Sequence, residues 1–172
     1  MPAVGWFQIH RVGGIWHINM IDEIIHKKNV KTDELALKIK AKPYNVLKYF
    51  GDPAGMQAQG QSGLGDIEIF RKKGIVVNTK RDKTSKSIAS GISHVRSFIE
   101  NAQGERHFHI HNKCTGIMMD LENYRYPEPK EGADLKPEPL KDGFHDHGCD
   151  MVRYFFINRF PIKQREFKVR TR

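Results

Sequence analysis

The stretch Gly14–Ile25, GIWHINMIDEII, is dense in Ile and carries Trp and Met. This composition reads as strand material, two strands meeting near Asn19. Working outward, Lys27-Lys28-Asn29 reads as a turn. Thr32 is placed to cap a short helix, with Asp33 and Glu34 in its first turn suiting the helix dipole. Leu35 and Ile39 lie four apart on one face of that helix, and Pro43 ends it. Residues 45–51, NVLKYFG, form a second strand pattern that stops at Asp52-Pro53-Ala54-Gly55. The Gln- and Gly-rich stretch 56–65 reads as a loop, and Ile75-Val76-Val77 as a short buried strand.

Further along, Ile88, Ile92, Val95 and Ile99 recur at helical spacing, giving a helix to Asn101 that Gly104 closes. His107-Phe108-His109-Ile110-His111 alternates strictly, as a half-buried strand does. Cys114, Ile117, Met118, Leu121 and Tyr124 trace another helical stripe. Residues 125–142 are proline-rich and charged and read as a long loop. The last helix begins near His145, with Val152, Phe155 and Phe156 toward the core. A basic tail follows over 161–172. Strands and helices mix, with helices late, which predicts an α/β chain whose sheet is covered by helices.

The chain has 172 residues, 38% of them hydrophobic, so one domain with a real core is expected. No run approaches the ~18 apolar residues of a membrane helix, and the first residues lack a signal-peptide pattern. Cys114 and Cys149 are too few for a disulfide framework, which points to a reducing compartment. The 29 Lys and Arg against 20 Asp and Glu give a net charge of +9, with a pI near 9.6. Such a balance favours polyanionic partners, nucleic acid first.

Asp52 closes an apolar strand, the place where α/β sheets bind ligands; as an Asp before Pro it also reads as an ordinary turn initiator. Asp146 and Asp150 lie four apart on one helix face, with His147 beside them. Two like charges there suit a hard cation such as Mg²⁺, or equally a helix cap with a solvated partner. The three histidines of 107–111 with nearby Cys114 have the spacing of a zinc site or of a solvated strand face. Asp22-Glu23 face either a site or the solvent of a hairpin. Lys72, Lys73, Lys80, Arg81 and Lys83 form a basic cluster suited to phosphate contacts or to solvent.

Taken in order, IDEII, TDEL, the strand running into DPAG, GIVV, SIASGISHVRSFI, CTGIMMDLENYRY, the proline-rich loop and HDHGCDMVRYFFINRF resemble the C-terminal nuclease domain of tailed-bacteriophage terminase large subunits. The likeness runs from about Trp6 to Phe160. It implies one nuclease domain over 1–172 with an RNase H-like fold, a mixed central sheet flanked by helices. It implies a metal-dependent endonuclease that cuts double-stranded viral DNA during genome packaging, with two Mg²⁺ or Mn²⁺ ions. By the resemblance Asp52 would share both ions and Asp150 with Asp146 would complete one, His147 assisting. One ion would activate water and the other would stabilise the leaving 3′ oxygen. Lys72, Lys73, Lys80, Arg81 and Lys83 would hold the DNA backbone. The resemblance also implies the portal protein and the small terminase subunit as partners, no membrane, and the host cytoplasm as the location.

The chain departs from the family at one point. The family's first carboxylate lies in an Asp-Trp-Gly-like stretch, where this chain has Ala3-Val4-Gly5-Trp6 and no acid. Either the acid is lost or the chain is a fragment cut there, with Asp22 or Glu23 as substitutes. The family's ATPase is also absent, so this chain alone would not drive packaging. Three alternatives stand beside the nuclease: a catalytically incomplete DNA-binding or docking module of the motor, a resolvase-like nuclease of the same fold, and a histidine-rich zinc protein.

Overall fold

The computed structural model describes residues 1–57, 64–79, 87–128 and 138–162. It is a mixed α/β arrangement with small sheets and five α-helices among the described residues. Strand β1 (Val4–Val12) and strand β2 (Ile15–Ile24) form an antiparallel hairpin. The expected junction near Asn19 is therefore wrong: β2 runs unbroken through it. The turn is Gly13-Gly14, where both residues have positive φ, 56° and 86°. A two-residue loop of that kind matches the twist of its strands and needs glycine-like freedom. The pairing slips between Trp6 and Phe7, leaving Ile21 unopposed. A bulge of this sort re-aims neighbouring side chains, here just before Asp22.

Helix α1 (Thr32–Lys40) follows, but Lys31 is its N-cap and no side chain caps it. Thr32 instead donates its hydroxyl to Asp66 Oδ1, 2.6 Å away. Strand β3 is only Tyr49–Phe50, shorter than the apolar run 45–51 suggests, and a 3₁₀ turn spans Pro53–Met56. Helix α2 (Asp66–Lys72) leads to β4 (Val77–Asn78), which lies parallel to β3. The expected strand at Ile75–Val77 thus shifts toward Asn78: Ile75 is buried, but Val76 is 64% exposed. Helix α3 (Ile88–Ile99) starts at a Ser87 cap; Val95 of the expected stripe is buried, but Ile99 is exposed and Phe98 packs on the core in its place. Strand β5 (Phe108–Ile110) pairs parallel to β2. Helices α4 (Thr115–Asn123) and α5 (Asp146–Arg159) complete the order.

Two sheets result, β1-β2-β5 and β3-β4. Ile18, Met20 and Phe108 of the larger sheet pack against Val95 of α3, Ile117 of α4 and Val152, Phe155 and Phe156 of α5. A smaller core gathers Trp6 and Ile24 with Leu35, Ala36 and Ile39 of α1 and with Ile75. The hairpin serves both cores because its side chains alternate: Phe7 and Ile9 join the larger one, Val4 and Trp6 the smaller. No helix among the described residues is long and apolar enough to cross a membrane.

Candidate functional site

Helix α5 carries most of the candidate acids, and its sequence explains its position. Val152, Phe155 and Phe156 anchor it in the larger core, while Gly91 of α3 lets Arg153 lie against the neighbouring helix. Asp146 occupies the first helical turn and is buried, with Oδ1 lacking a hydrogen-bond partner. His147 Nε2 lies 3.0 Å from the Met1 ammonium. Asp150 Oδ1 accepts from Arg153 Nε and Nη2 at 3.1 and 2.8 Å, and its Oδ2 accepts from Lys141 Nζ at 3.4 Å. The buried guanidinium of Arg153 also lies 4.3 Å from the Tyr154 ring centroid. Burial works against the Arg153 charge, but Asp150 and Tyr154 outweigh it and hold the group above its ordinary value.

Asp52 comes from the other side. It is exposed, follows β3, and caps the 3₁₀ turn by accepting from the Ala54 N–H at 2.8 Å. It is thus a turn initiator that follows a sheet strand. Burial pushes the Tyr154 phenol up; Arg153 opposes that rise, and interaction with Asp52 adds to it.

The other acids are engaged elsewhere. Asp22 Oδ2 accepts from Lys42 Nζ at 2.7 Å and from the Tyr44 hydroxyl at 2.9 Å. Burial pushes its carboxyl up, but these bonds and the Glu23 N–H outweigh burial and lower it. Glu23 accepts from the backbone N–H groups of Gly116 and Ile117 at 2.7 and 3.0 Å, closing the N-terminus of α4. Orphan N–H groups at a helix start are well served by a carboxylate. Both acids thus have structural partners.

A buried pair escaped sequence reasoning. Asp120, fully buried on α4, has Oδ1 2.7 Å from His26 Nε2, while its Oδ2 has no partner. Burial pushes its carboxyl up against the opposing pull of His26. His26 adopts a positive φ of 58° and stacks on Phe144, ring centroids 4.1 Å apart. The available signal was Asp120 itself, an acid lying between Ile117 and Leu121 on an apolar stripe. A buried carboxylate needs a partner. Asp142 is also new: it accepts from the Phe144 and His145 N–H groups at 2.8 Å each, and His145 Nδ1 lies 2.6 Å from its other oxygen.

The zinc arrangement does not form. His107 pairs with Asn101 and Glu105, His109 and His111 are exposed, and Cys114 is buried with its thiol directed at the Met20 carbonyl. Burial pushes the Cys114 thiol up to about 11 and the Cys149 thiol up to about 12. Such thiols are poor metal ligands and nucleophiles. Among the described residues, no three His, Cys, Asp or Glu side chains are grouped so as to hold a metal ion.

Lys72 and Lys73 end α2 on the surface, and Lys40 of α1 donates to the Lys73 carbonyl at 3.3 Å. This bond joins the C-terminal ends of α1 and α2. Lys80, Arg81 and Lys83 lie outside the described residues, as do 129–137 of the proline-rich loop and 163–172 of the basic tail. Comparison with known families, curated proteins and solved structures finds no match to this chain.

Proposed function

We propose that the chain is a metal-dependent endonuclease domain acting on double-stranded DNA, of the terminase nuclease kind its motifs resemble, with an RNase H-like arrangement of its strands. The observation that carries this reading is that Asp150 on α5 is held by Arg153, while Asp52, just after β3, acts electrostatically on the neighbouring Tyr154. The net charge of +9 and the basic face of Lys40, Lys72 and Lys73 support a phosphate backbone as the partner.

Among the described residues the candidate acids are not grouped as a two-ion site needs. Two Mg²⁺ or Mn²⁺ ions need several converging oxygen ligands, and Asp150 is already neutralised by Arg153 and Lys141. No catalytic step is therefore assigned to ions held by Asp52, Asp146, Asp150 or His147. The same observation favours a second reading, a DNA-binding module of a packaging motor that cannot cut by itself.

Supercoiled plasmid incubated with the chain and Mn²⁺, Mg²⁺ or a chelator separates the two. Chelator-sensitive nicking that drops at least 100-fold in Asp52→Asn supports the nuclease. Undiminished nicking by Asp52→Asn overturns the role of that residue. DNA binding without any nicking selects the module.

A further inference from the structure

The chain carries no carboxylate over residues 1–21 or over residues 151–162. These two stretches meet beside the tip of the β1–β2 hairpin. Arg11 and Trp16 are partners across the two strands, and the Arg11 guanidinium carbon lies 5.3 Å from the centroid of the Trp16 ring. Arg159, in the last turn of α5, brings a second guanidinium to 5.0 Å from the same ring and 4.8 Å from the ring of Phe160. Trp16 meets Phe160 edge-on at 5.9 Å, which ties this cluster to the larger core. Beyond Arg11 the ribbon ends in Val12 and Ile15, 59% and 44% exposed, around the Gly13-Gly14 turn.

Elsewhere Arg71, Arg106 and Arg153 each hold a carboxylate. Arg11 and Arg159 hold none among the described residues. Arg11 donates its Nε–H to the Gly14 carbonyl at 2.8 Å, and its terminal N–H groups are left for another acceptor. A guanidinium presents a planar fork that matches phosphate oxygens, and a side chain already ordered on a ring loses less freedom when it binds. A two-stranded ribbon is narrow enough to enter a groove of duplex DNA. A lipid surface fits less well: Val12 and Ile15 together have fewer than half the carbons of a myristoyl chain, which alone gives only marginal membrane binding. An acidic peptide offers scattered carboxylates, whereas the net charge of +9 draws a partner charged along its whole length.

We propose that the hairpin tip is a docking element for duplex DNA: Arg11 and Arg159 donate to backbone phosphates, and Val12 and Ile15 enter the groove between them. This contact is separate from the lysines of α1 and α2. It rests on the reading of DNA as the partner and not on cleavage.

The test measures binding of the full chain to a fluorescein-labelled duplex of about 24 base pairs by fluorescence anisotropy, over a range of salt and with a chelator present. Arg11→Ala and Arg159→Ala should each weaken binding about fivefold and lower the slope of log affinity against log salt by about one. Arg11→Lys and Arg159→Lys, which keep the charge, should keep the slope. Arg106→Ala, whose guanidinium is paired with Glu100 at 2.9 Å, should change neither quantity. Joint replacement of Val12 and Ile15 by Ser should weaken binding at unchanged slope. Duplex binding whose slope is unchanged in Arg11→Ala and Arg159→Ala, both folded by circular dichroism, overturns the docking element and leaves DNA as the partner. Absence of duplex binding by the parent chain overturns both. Tighter binding of the parent to polyglutamate or to phosphatidylserine vesicles than to the duplex, lost in the same two variants, overturns the proposal by naming a protein or a membrane as the occupant.

Discussion

The two cores of this molecule are built differently. The larger one places three helices against three strands and is filled by aromatic rings: Phe156 touches the rings of Phe98, Phe108, Phe155 and Phe160, at centroid distances of 4.8 to 6.0 Å. The smaller one depends mainly on aliphatic contacts around Ile75, and its own strands, β3 and β4, are two residues each. A two-stranded ribbon is marginal without further pairing. Cohesion therefore resides in the part that bears α5, and the candidate acids are divided: Asp146 and Asp150 ride on the stronger part, Asp52 on the weaker.

Removing Phe156 tests the difference most severely. Phe156→Ala should cost about 4 kcal/mol, seen as a lowered urea midpoint with both cores unfolding together. Ile75→Ala should cost about 3 kcal/mol, but exchange should quicken mainly in β3 and β4 while β2 stays protected. Equal loss of protection across both sheets would break the comparison. At the junction of α4 and α5, Gly148 leaves no room for a side chain because Asp120 Oδ2 lies against it. Gly148→Ala should cost about 2 kcal/mol through overpacking, read by thermal unfolding; an unchanged midpoint would mean that α5 can shift freely.

The smallest effect concerns the approach to α5. The hydrogen bond to His145, aided by two backbone N–H groups, holds the Asp142 carboxyl well below the usual carboxylate range. A lowered folded-state pKa gives stability that is present above the unfolded value, about 3.9, and is lost as pH falls below it. Asp142→Ala should thus be less stable than the parent by about 1 kcal/mol at pH 7, with the gap closing as pH falls below about 4. A gap that holds constant down to pH 2 would show that Asp142 acts by packing alone.

Local periodicity made much of this architecture legible. The helix over Ile88–Ile99, the alternation of 107–111 and the apolar face of the last helix all appear where their spacing puts them, although Phe98 rather than Ile99 faces the core. The hairpin turn was signalled by Gly13-Gly14, just ahead of the strong apolar run. Strands β3 and β4 were less legible because their pairing, Tyr49 with Val77, is non-local and owes little to propensity. In the site, the positions of Asp52 and of the acids on α5 could be read from spacing. The capture of Asp150 by Arg153 three residues on was also within reach, since such pairs share a helix face. The Asp120–His26 pair joins residues 94 apart and depends on how α4 meets the end of β2.

The burial of both cysteines has a practical consequence. Cys114 and Cys149 are both buried, so alkylating and maleimide reagents should leave the folded chain unmodified. Leu47, 88% exposed just ahead of β3, is then a natural point for one introduced thiol. A fluorophore attached through Leu47→Cys would be the chain's single label and would report on that segment without competition from the native sulfurs.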